Sequence, residues 1–373
     1  MRRSAAFKML FHDRATAFGS IAGVIAIIFL VGQQLGIFFG LLNYMSVLVD
    51  NSGADIWLKA RNADNINSAG TIPISYRDRI MGLQGVQWVE PIVIGVGLLK
   101  LQEGNYQAVQ IFGTRRPRLA GGPNQFYQGS ITGLLDEEGV TLDRLDLATL
   151  DYPSIGAIFE LNGKRVRVRG ITQNMQGFSG SLLYTNLAKA RELVNMDAER
   201  CSNLLIKVND GVDINAMVVL LQQILPKADA VYSKKLSSQT KLYYLKNTGI
   251  GSSFGFTTLV GALIGVVIIA LTMYTNVLNK TRDYAVLRAL GARRRDVLYI
   301  VFMQSMYIAL IGLLAGFTLL SLFLILAKNT GLPSYMPWWA ALLHAVVTLF
   351  LCLLGSLIAM RRAIRIEPAT AFR

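Results

Sequence analysis

Four long apolar runs restrict the folds open to this chain of 373 residues more than any other feature. They extend over Ala17–Leu42, Ser252–Leu278, Val297–Ala327 and Trp338–Met360. Each run is long enough to cross the hydrocarbon core of a bilayer as a helix, which takes about 20 residues. Because 53% of the residues are hydrophobic and only 16% are charged, the sequence predicts a membrane protein with four transmembrane helices.

The charged residues predict how these helices are oriented. Residues 43–253 hold 22 Lys and Arg against 19 Asp and Glu, whereas the rest of the chain holds 15 against 4. Ten of those 15 cations lie in two blocks, Lys280–Arg295 and Arg361–Arg373, at opposite ends of the last two runs. Cytoplasmic loops are enriched in Lys and Arg, so both blocks and both termini are predicted to be cytoplasmic. The net charge of +14 is explained by this orientation, and nucleic acid is not an expected partner.

The chain is therefore predicted to be a multi-pass protein of the cytoplasmic (inner) membrane. The first run is too long for the core of a signal peptide and no A-x-A-like site follows it, so it is predicted to remain as a span. Tyr335, Trp338 and Trp339 lie where aromatic residues line the outer interface. The predicted segments are a cytoplasmic amphipathic segment at 1–16, transmembrane helices at 17–42, 252–279, 297–327 and 338–360, an extracytoplasmic domain at 43–251, a cytoplasmic helix at 280–296, an outer loop at 328–337 and a cytoplasmic tail at 361–373.

The segment between the first two spans has the pattern of an α+β domain. Strand-like and helix-like runs alternate at Asp55–Lys59, Ile74–Leu83, Val86–Leu101, Leu204–Val208, Val212–Leu225 and Asp229–Tyr232. The intervening residues, roughly Arg115–Arg200, carry Gly and Pro turns and further strands. We therefore predict two βαβ halves with a β-rich insertion. Polar or Gly-rich joints at Asn43–Asp55 and Asn247–Ser253 are expected to connect this domain to the spans.

Motifs of catalysis are missing from the sequence. Gly163 and Lys164 lack the upstream glycine and the hydroxyl residue of a P-loop, so ATP binding by such a loop is not expected. His12 and His344 have no Cys, Asp or Glu at metal-ligand spacing. His344, near the outer end of the fourth span, is interpreted as a packing residue, with a functional intramembrane group as the alternative. Cys201 and Cys352 are predicted to lie at different depths and to remain unlinked.

The stretch between the second and third spans has the pattern of a short amphipathic helix. Apolar, small and charged residues alternate from Arg282 to Ala292, and Gly291 is placed to end the helix in a left-handed cap. One interpretation is a helix that lies on anionic lipid. The other is a helix that enters a groove of a cytoplasmic protein. The small residues Ala285 and Ala289 favour the groove, because they permit close approach.

Two motifs resemble those of a known family. The string RDYAVLRALGARRRDV, which begins at Arg282, resembles the cytoplasmic loop of MacB/FtsX-like ABC transporter permeases. The tail RRAIRIEPATAFR, which begins at Arg361, resembles the ending of the same permeases. The strings GADIWL and NTGIGSSF, which flank the domain between the spans, look most like the DevC-type branch. The resemblance covers the whole chain, although Asp283 stands where the family usually carries glutamate.

This resemblance implies a site and a set of partners. Two permeases would pair as a homodimer in the lipid bilayer, and a separate ABC ATPase would dock below each one. ATP and Mg would be bound by that ATPase, and this chain would carry no cofactor, metal or catalytic residue. The ATPase-coupling residues would be Arg282, Asp283, Tyr284, Val286, Leu287, Arg288, Ala289, Leu290, Gly291 and Ala292. Tyr284 and Leu287, which share a helix face, are expected to form an apolar knob with Val286 and Leu290.

The resemblance also implies how such a permease works. ATP-driven closure of the ATPase pair would move the first and second spans, and that motion would reach the extracytoplasmic domain by mechanotransmission. DevC-like members act with a periplasmic adaptor and an outer-membrane channel, so export is the leading hypothesis. One alternative is a transducer that activates a cell-wall hydrolase, and the large domain argues against it. Another alternative is extraction of a lipid, a lipoprotein or a haem-like amphiphile from the outer leaflet.

Glycines at intervals of four residues predict close helix packing. Gly32, Gly36 and Gly40 share one face of the first span, and Gly261 and Gly265 lie in the second. Small-xxx-small faces let helices approach closely. From the sequence, the neighbour could be another span of the same chain or the second copy of the permease.

Two further groups of polar residues have more than one interpretation. Polar residues within the spans include Gln33, Gln34, Asn276, Asn279, Gln304 and Ser305. Hydrogen bonds between helices explain them, with a polar substrate path as the alternative. The basic clusters Arg115–Arg118 and Lys164–Arg169 are expected to be solvated strand faces, with an adaptor-docking patch as the alternative.

Overall fold

The computed structural model describes residues 2–12, 14–61, 63–67, 70–101, 103–178 and 180–364. The chain divides into two compact units, which we call the helical unit (Met1–Gly40 with Ser252–Arg373) and the α/β unit (Leu41–Gly251). The predicted tail motif falls largely at 365–373, outside the described residues.

Ten α-helices are found in the described residues. They are α1 (Arg2–His12), α2 (Arg14–Asp50), α3 (Tyr76–Met81), α4 (Leu187–Val194), α5 (Ile214–Ile224), α6 (Ser233–Asn247), α7 (Ile250–Asn279), α8 (Thr281–Ala289), α9 (Arg294–Asn329) and α10 (Trp338–Ile364). Four of them, α2, α7, α9 and α10, are long and apolar enough to cross a membrane. The prediction of four such helices is confirmed.

Twelve strands are found in the same described ranges. They are β1 (Ile56–Ala60), β2 (Ile72–Pro73), β3 (Val86–Lys100), β4 (Tyr106–Thr114), β5 (Phe126–Gly129), β6 (Gly139–Asp143), β7 (Ile158–Leu161), β8 (Lys164–Thr172), β9 (Ser181–Asn186), β10 (Arg200–Cys201), β11 (Asn203–Val208) and β12 (Ala228–Tyr232). Two short 3-10 helices, Ile131–Leu135 and Arg144–Leu150, adjoin β6.

Helix α2 is longer than the sequence predicts. The predicted span ends at residue 42, and the following residues were expected to form a joint, but the helix continues to Asp50. The cause is a second set of apolar residues, because Met45, Val47 and Leu48 are buried. Val47 and Leu48 pack in one apolar cluster with Trp57 of β1. With 37 residues, α2 is about 55 Å long, well beyond the roughly 30 Å of a bilayer core.

The first part of the α/β unit is an interleaved pair of βαβ segments. Strand β1 pairs antiparallel with both β11 and β12, and β11 also pairs antiparallel with β3. The strand order is therefore β12-β1-β11-β3, in which β1 lies parallel to β3 and β11 parallel to β12. This is the split βαβ arrangement. Apolar residues of α3 and α5, including Ile80, Met217 and Leu221, are buried against this sheet.

The predicted β-rich insertion is not a separate sheet. Strand β3 is 15 residues long, and its second half pairs with β4. The sheet then continues through β9, β6 and β8 to β5. Strand β7 pairs with both β8 and β3, so β3, β4, β9, β6, β8 and β7 close into a ring. The ring encloses Val109, Ile111, Phe159, Val166 and Leu183, which share one apolar core. The sequence predicted the strands, but the closure depends on pairing between distant residues.

Candidate functional site

Helix α8 lies between α7 and α9, within the stretch predicted to form a coupling helix. The predicted segment 280–296 is only partly this helix, because α8 ends at Ala289 and α9 already begins at Arg294. Gly291 has a φ of +96°, which favours glycine over residues with a Cβ. The N–H of Gly291 donates to Arg288 O at 3.1 Å, and the N–H of Ala292 donates to Leu287 O at 3.0 Å. This is a Schellman motif, and the predicted left-handed cap is confirmed.

One face of α8 packs against the other helices of the helical unit. Tyr284 and Ala285 are fully buried and belong to the same apolar core as Leu10, Ile28 and Val301. The Tyr284 hydroxyl donates to Oε1 of Gln304 on α9 at 2.7 Å. The expectation that Tyr284 forms part of an exposed knob is therefore wrong. Leu287 is half-buried and packs against the same core, so it also faces largely inward.

The opposite face of α8 is exposed. Leu290 is 80% exposed and Val286 is 44% exposed. The exposed or half-buried polar and small residues around them are Arg282, Asp283, Arg288, Ala289, Gly291 and Ala292. Periodicity placed Tyr284 and Leu287 on one face correctly, but it could not tell which face the bundle would cover. The apolar contacts open to a partner are therefore Val286 and Leu290.

The residue before α8 has a role that the sequence did not reveal. Lys280 is only 2% exposed, and its Nζ donates to Met9 O at 2.6 Å and to Leu10 O at 3.4 Å in the last turn of α1. The adjacent Asn279 donates from Nδ2 to the Thr16 hydroxyl at 3.1 Å. In the sequence, Lys280 counted only as one of the orienting cations. The apolar residues at Ala6 and Leu10 were the available signal that α1 packs into the bundle.

The predicted packing glycines lie against other segments of the same chain, which are helices for all but Gly40. A Cβ on Gly32 or Gly36 would come within 2.4 or 2.5 Å of Leu320 or Leu324 on α9, respectively. A Cβ on Gly40 would be 2.4 Å from the backbone carbon of Pro333.

The glycines of α7 face α2, with Gly265 nearest Ile27 and Gly261 nearest Val31. All five glycines thus have a neighbour within the same chain, and a role in pairing with a second permease stays a prediction.

Some of the polar residues of the spans bond to neighbouring helices, as Asn279 and Gln304 do. His344 is 5% exposed, and its Nε2 lies 3.2 Å from Ile28 O. Its ring also meets Phe317 edge-on. Gln33 and Gln34 line an otherwise largely apolar cleft of about 380 Å³ between α2 and α7. The side chain of Asn276 lies outside the described atoms, and Ser305 bonds within its own helix.

Several cations of the two basic clusters of the α/β unit pair with carboxylates of the same unit. Arg115 and Arg118 both approach Glu90, at 4.0 and 3.8 Å. Burial raises the pKa of Glu90, although the arginines act in the opposite direction.

In the second cluster, the guanidinium of Arg169 lies against Asp136 and holds the pKa of that carboxyl below its usual value. Arg165 and Arg167 share Glu138 at 3.5 and 3.9 Å. In both clusters the cations outnumber these carboxylates, so an adaptor-docking patch stays a prediction.

A buried acidic group joins the end of α2 to the ring of strands. The Tyr44 hydroxyl donates to Gln176 Oε1 at 2.7 Å, and Gln176 Nε2 donates to Asp146 Oδ1 at 2.9 Å. Burial raises the pKa of Asp146 to about 6, and the nearby Asp143 adds to the shift. The pKa of Asp143 is also raised by burial, against the donation of the Met175 amide and other hydrogen bonds.

Metal coordination finds no support in the described residues, which contain no cluster of three or more His, Cys, Asp or Glu able to hold an ion. The thiols of Cys201 and Cys352 are both buried and free. The arrangement around α8 presents an exposed apolar edge formed by Val286 and Leu290.

Comparison with known proteins identifies the membrane part of the chain. Residues 255–368 match the FtsX-like permease C-terminal family. An uncharacterized ABC transporter permease of Mycobacterium tuberculosis is 23% identical over 326 residues, which cover 87% of this chain and 86% of the relative. The macrolide export ATP-binding/permease protein MacB of Campylobacter jejuni is 26% identical over 115 residues, covering 30% of this chain and 18% of MacB.

A solved structure shows a weaker likeness. The periplasmic region of MacB from Actinobacillus actinomycetemcomitans aligns with 50% of this chain and 92% of its own length, at 15% identity and a TM-score of 0.41. That score is too low to define the fold of the α/β unit. Residues 255–368 are therefore similar to the FtsX-like permease C-terminal family, and the chain is similar to ABC transporter permeases, in one relative over 87% of its length.

Proposed function

We propose that this chain is the permease of a mechanotransmitting ABC exporter. Permeases of this class work with a partner ATPase, and α8 would be the element that docks in it. The proposal rests on the difference in burial between the two faces of α8. Its inner face is held by Tyr284 and Ala285, and its outer face presents Val286 and Leu290.

Firm attachment on one side is what a coupling element needs. A helix that only lay on lipid could move without moving the bundle, whereas the bond from Tyr284 to Gln304 ties α8 to α9. The exposed apolar pair is small, and two arginines flank it, with Arg282 one turn before Val286 and Arg288 between Val286 and the C-cap residue Leu290. A small apolar anchor with a charged rim suits a protein groove. The lipid-surface interpretation remains the alternative outcome of the test below.

We infer that α2 carries the motion away from the membrane. It is one uninterrupted helix from Arg14 to Asp50, and its last turns pack into the core of the α/β unit through Val47 and Leu48. A helix without a break can pass a displacement along its axis. The α/β unit would be extracytoplasmic, with both termini and α8 in the cytoplasm, and would work with a periplasmic adaptor and an outer-membrane channel.

The orientation can be tested by thiol labelling of intact cells. Cysteine at the exposed position Glu103 should react with an impermeant reagent, and cysteine at Arg294 should not. Cys201 and Cys352 are fully buried, so they add little background. Reaction of the Arg294→Cys variant from outside the cell would contradict the orientation.

The docking proposal is tested with the double variant Val286→Ala and Leu290→Ala. Each truncation of an interface anchor should cost about 1–2 kcal/mol, so recovery of the ATPase with affinity-purified permease should fall about tenfold or more. Leu314→Ala is the matched control, because Leu314 is 75% exposed but lies within α9.

Mass spectrometry of the wild-type complex then separates the remaining functions. An adaptor among the partners supports export, and a cell-wall hydrolase supports the transducer. Undiminished ATPase recovery with the double variant would exclude α8 as the docking element and favour the lipid-surface interpretation.

A further inference from the structure

We propose that Lys280 is a positioning residue that joins α8 to the corner between α1 and α2, so that movement of α8 is passed directly to the first span. This inference rests on the proposed function, because it concerns the route by which a docked ATPase would move the permease. Lys280 does not itself touch the proposed ATPase surface.

The ammonium group of Lys280 is placed at the end of a helix. The last four carbonyl groups of α1 have no partner within the helix, and Met9 O and Leu10 O are two of them. Nζ of Lys280 lies 2.6 Å from the first and 3.4 Å from the second. A cation is favoured at this end of a helix by the aligned peptide dipoles, so the contact satisfies both charge and hydrogen bonding.

Burial distinguishes Lys280 from a cation that only sets topology. An orienting lysine needs no fixed partner and extends its ammonium group into water. Lys280 is instead 2% exposed, and desolvation of an ammonium group is costly unless polar partners replace the water. Lys8, on α1 itself, is exposed and shows the ordinary behaviour. The surrounding backbone therefore supplies hydrogen-bond partners for the buried ammonium group of Lys280.

The same residue is also the start of α8. The N–H of Tyr284 donates to Lys280 O at 3.1 Å, so the backbone of Lys280 belongs to the first turn of α8. Its side chain belongs to the end of α1. A displacement of α8 must either carry the end of α1 with it or separate the ammonium group from both carbonyls.

Helix α1 is in turn held on both sides. Ala6 and Leu10 are fully buried in the core of the helical unit, and the ring of Phe7 meets Tyr307 of α9 edge-on at 5.6 Å. Helix α1 ends at His12 and α2 begins at Arg14, so the two helices follow each other directly in the chain. The bond from Asn279 to Thr16 fastens α7 to the start of α2. Lys280 thus links α8 to α1, and through α1 to the start of α2.

The experiment uses full-length permease in complex with the ATPase that co-purifies with it. A cysteine at Phe18, which is 74% exposed on α2, carries an environment-sensitive fluorophore. Lys280→Met removes the ammonium group and keeps a flexible apolar side chain of nearly the same length. Lys280→Arg keeps the charge, and Lys8→Met removes an exposed cation of α1 as a matched control.

In the wild-type complex, ATP with Mg²⁺ should change the fluorescence at position 18. We expect the change to be about fivefold smaller in Lys280→Met, in the range of ordinary coupling between sites. ATPase recovery should be unchanged, and Lys280→Arg should restore at least half of the signal. Lys8→Met should behave as wild type. If no ATPase is recovered with the wild-type chain, the proposed function fails before Lys280 is tested.

Two results would overturn the proposal. One is a full fluorescence change in a Lys280→Met permease that retains its ATPase. The other is loss of the folded permease in both Lys280→Met and Lys280→Gln, because the residue would then act only in stability. Since Lys280→Gln keeps a donor without a charge, it also separates hydrogen bonding from electrostatics.

Discussion

The contact between α2 and α9 in the helical unit and the core around Trp57 in the α/β unit reach close packing by opposite means. In the helical unit, α2 and α9 approach each other where side chains are missing, as at Gly32 and Gly36 beneath Leu320 and Leu324. In the α/β unit, large side chains such as Trp57 fill the space, and surface charges are paired within the unit. The contact between α2 and α9 should therefore be sensitive to added atoms, and the core around Trp57 should be sensitive to removed atoms.

The largest expected effect is on the α/β unit. Trp57 is fully buried in β1, and its Nε1 donates to the Ser52 hydroxyl at 3.3 Å. Trp57→Ala should lower the free energy of unfolding of this unit by about 3–5 kcal/mol, because it leaves a large cavity. Urea denaturation of the full chain in detergent, with Trp338 and Trp339 replaced by Phe and the transition followed through Trp88 fluorescence, measures the loss.

A matched control lies in the same unit. Tyr106 is 60% exposed, so Tyr106→Ala should change the free energy of unfolding by about 0.5 kcal/mol or less. Equal losses in the two variants would contradict the view that packed volume stabilises this unit.

The second effect concerns the buried carboxyl of Asp146. A carboxyl whose pKa is raised to about 6 contributes most to stability when protonated, below its ordinary pKa, and this contribution is lost as the pH rises through about 6. At pH 7.5 the charged form should cost up to about 3 kcal/mol. Asp146→Asn should therefore raise the unfolding temperature at pH 7.5, with little gain at pH 4.5.

The fluorescence of Trp57 and Trp88, in a chain with Trp338 and Trp339 replaced by Phe, reports the unfolding temperature of the α/β unit. Asp136→Asn is a control of opposite sign, because Arg169 holds the pKa of Asp136 low. That variant should lose stability at neutral pH, and its loss should vanish as the pH falls. A higher unfolding temperature for both variants at pH 7.5 would contradict the raised pKa of Asp146.

The smallest effect tests the helical unit. A Cβ at Gly40 would lie 2.4 Å from the Pro333 backbone carbon, and backbone yields less readily than a side chain. Gly40→Ala should cost about 1–3 kcal/mol through overpacking and lower the fraction of monodisperse permease after mild heating. Nothing lies within 4 Å of a Cβ at Gly19, so Gly19→Ala should be neutral. A harmless Gly40→Ala would break the comparison between the two units.

The sequence predicted local features better than long-range ones. The cap at Gly291 followed from one residue in its helical context, and the four apolar helices followed from hydropathy. The orientation of Tyr284 could not be predicted, because periodicity groups residues on a face without showing which face the bundle covers. The ring of strands was also beyond prediction, since it depends on β7 meeting β3 across about sixty residues of chain.

The length of β3 has a consequence for how this protein can be divided. Its first half completes the split βαβ sheet with β11, and its second half closes the ring with β4 and β7. A single strand thus serves two structures without a linker between them. The ring cannot be excised, transplanted or exchanged between relatives as a module without leaving half a strand unpaired. Recombination within this unit should be tolerated only where the whole of residues 41–251 is moved together.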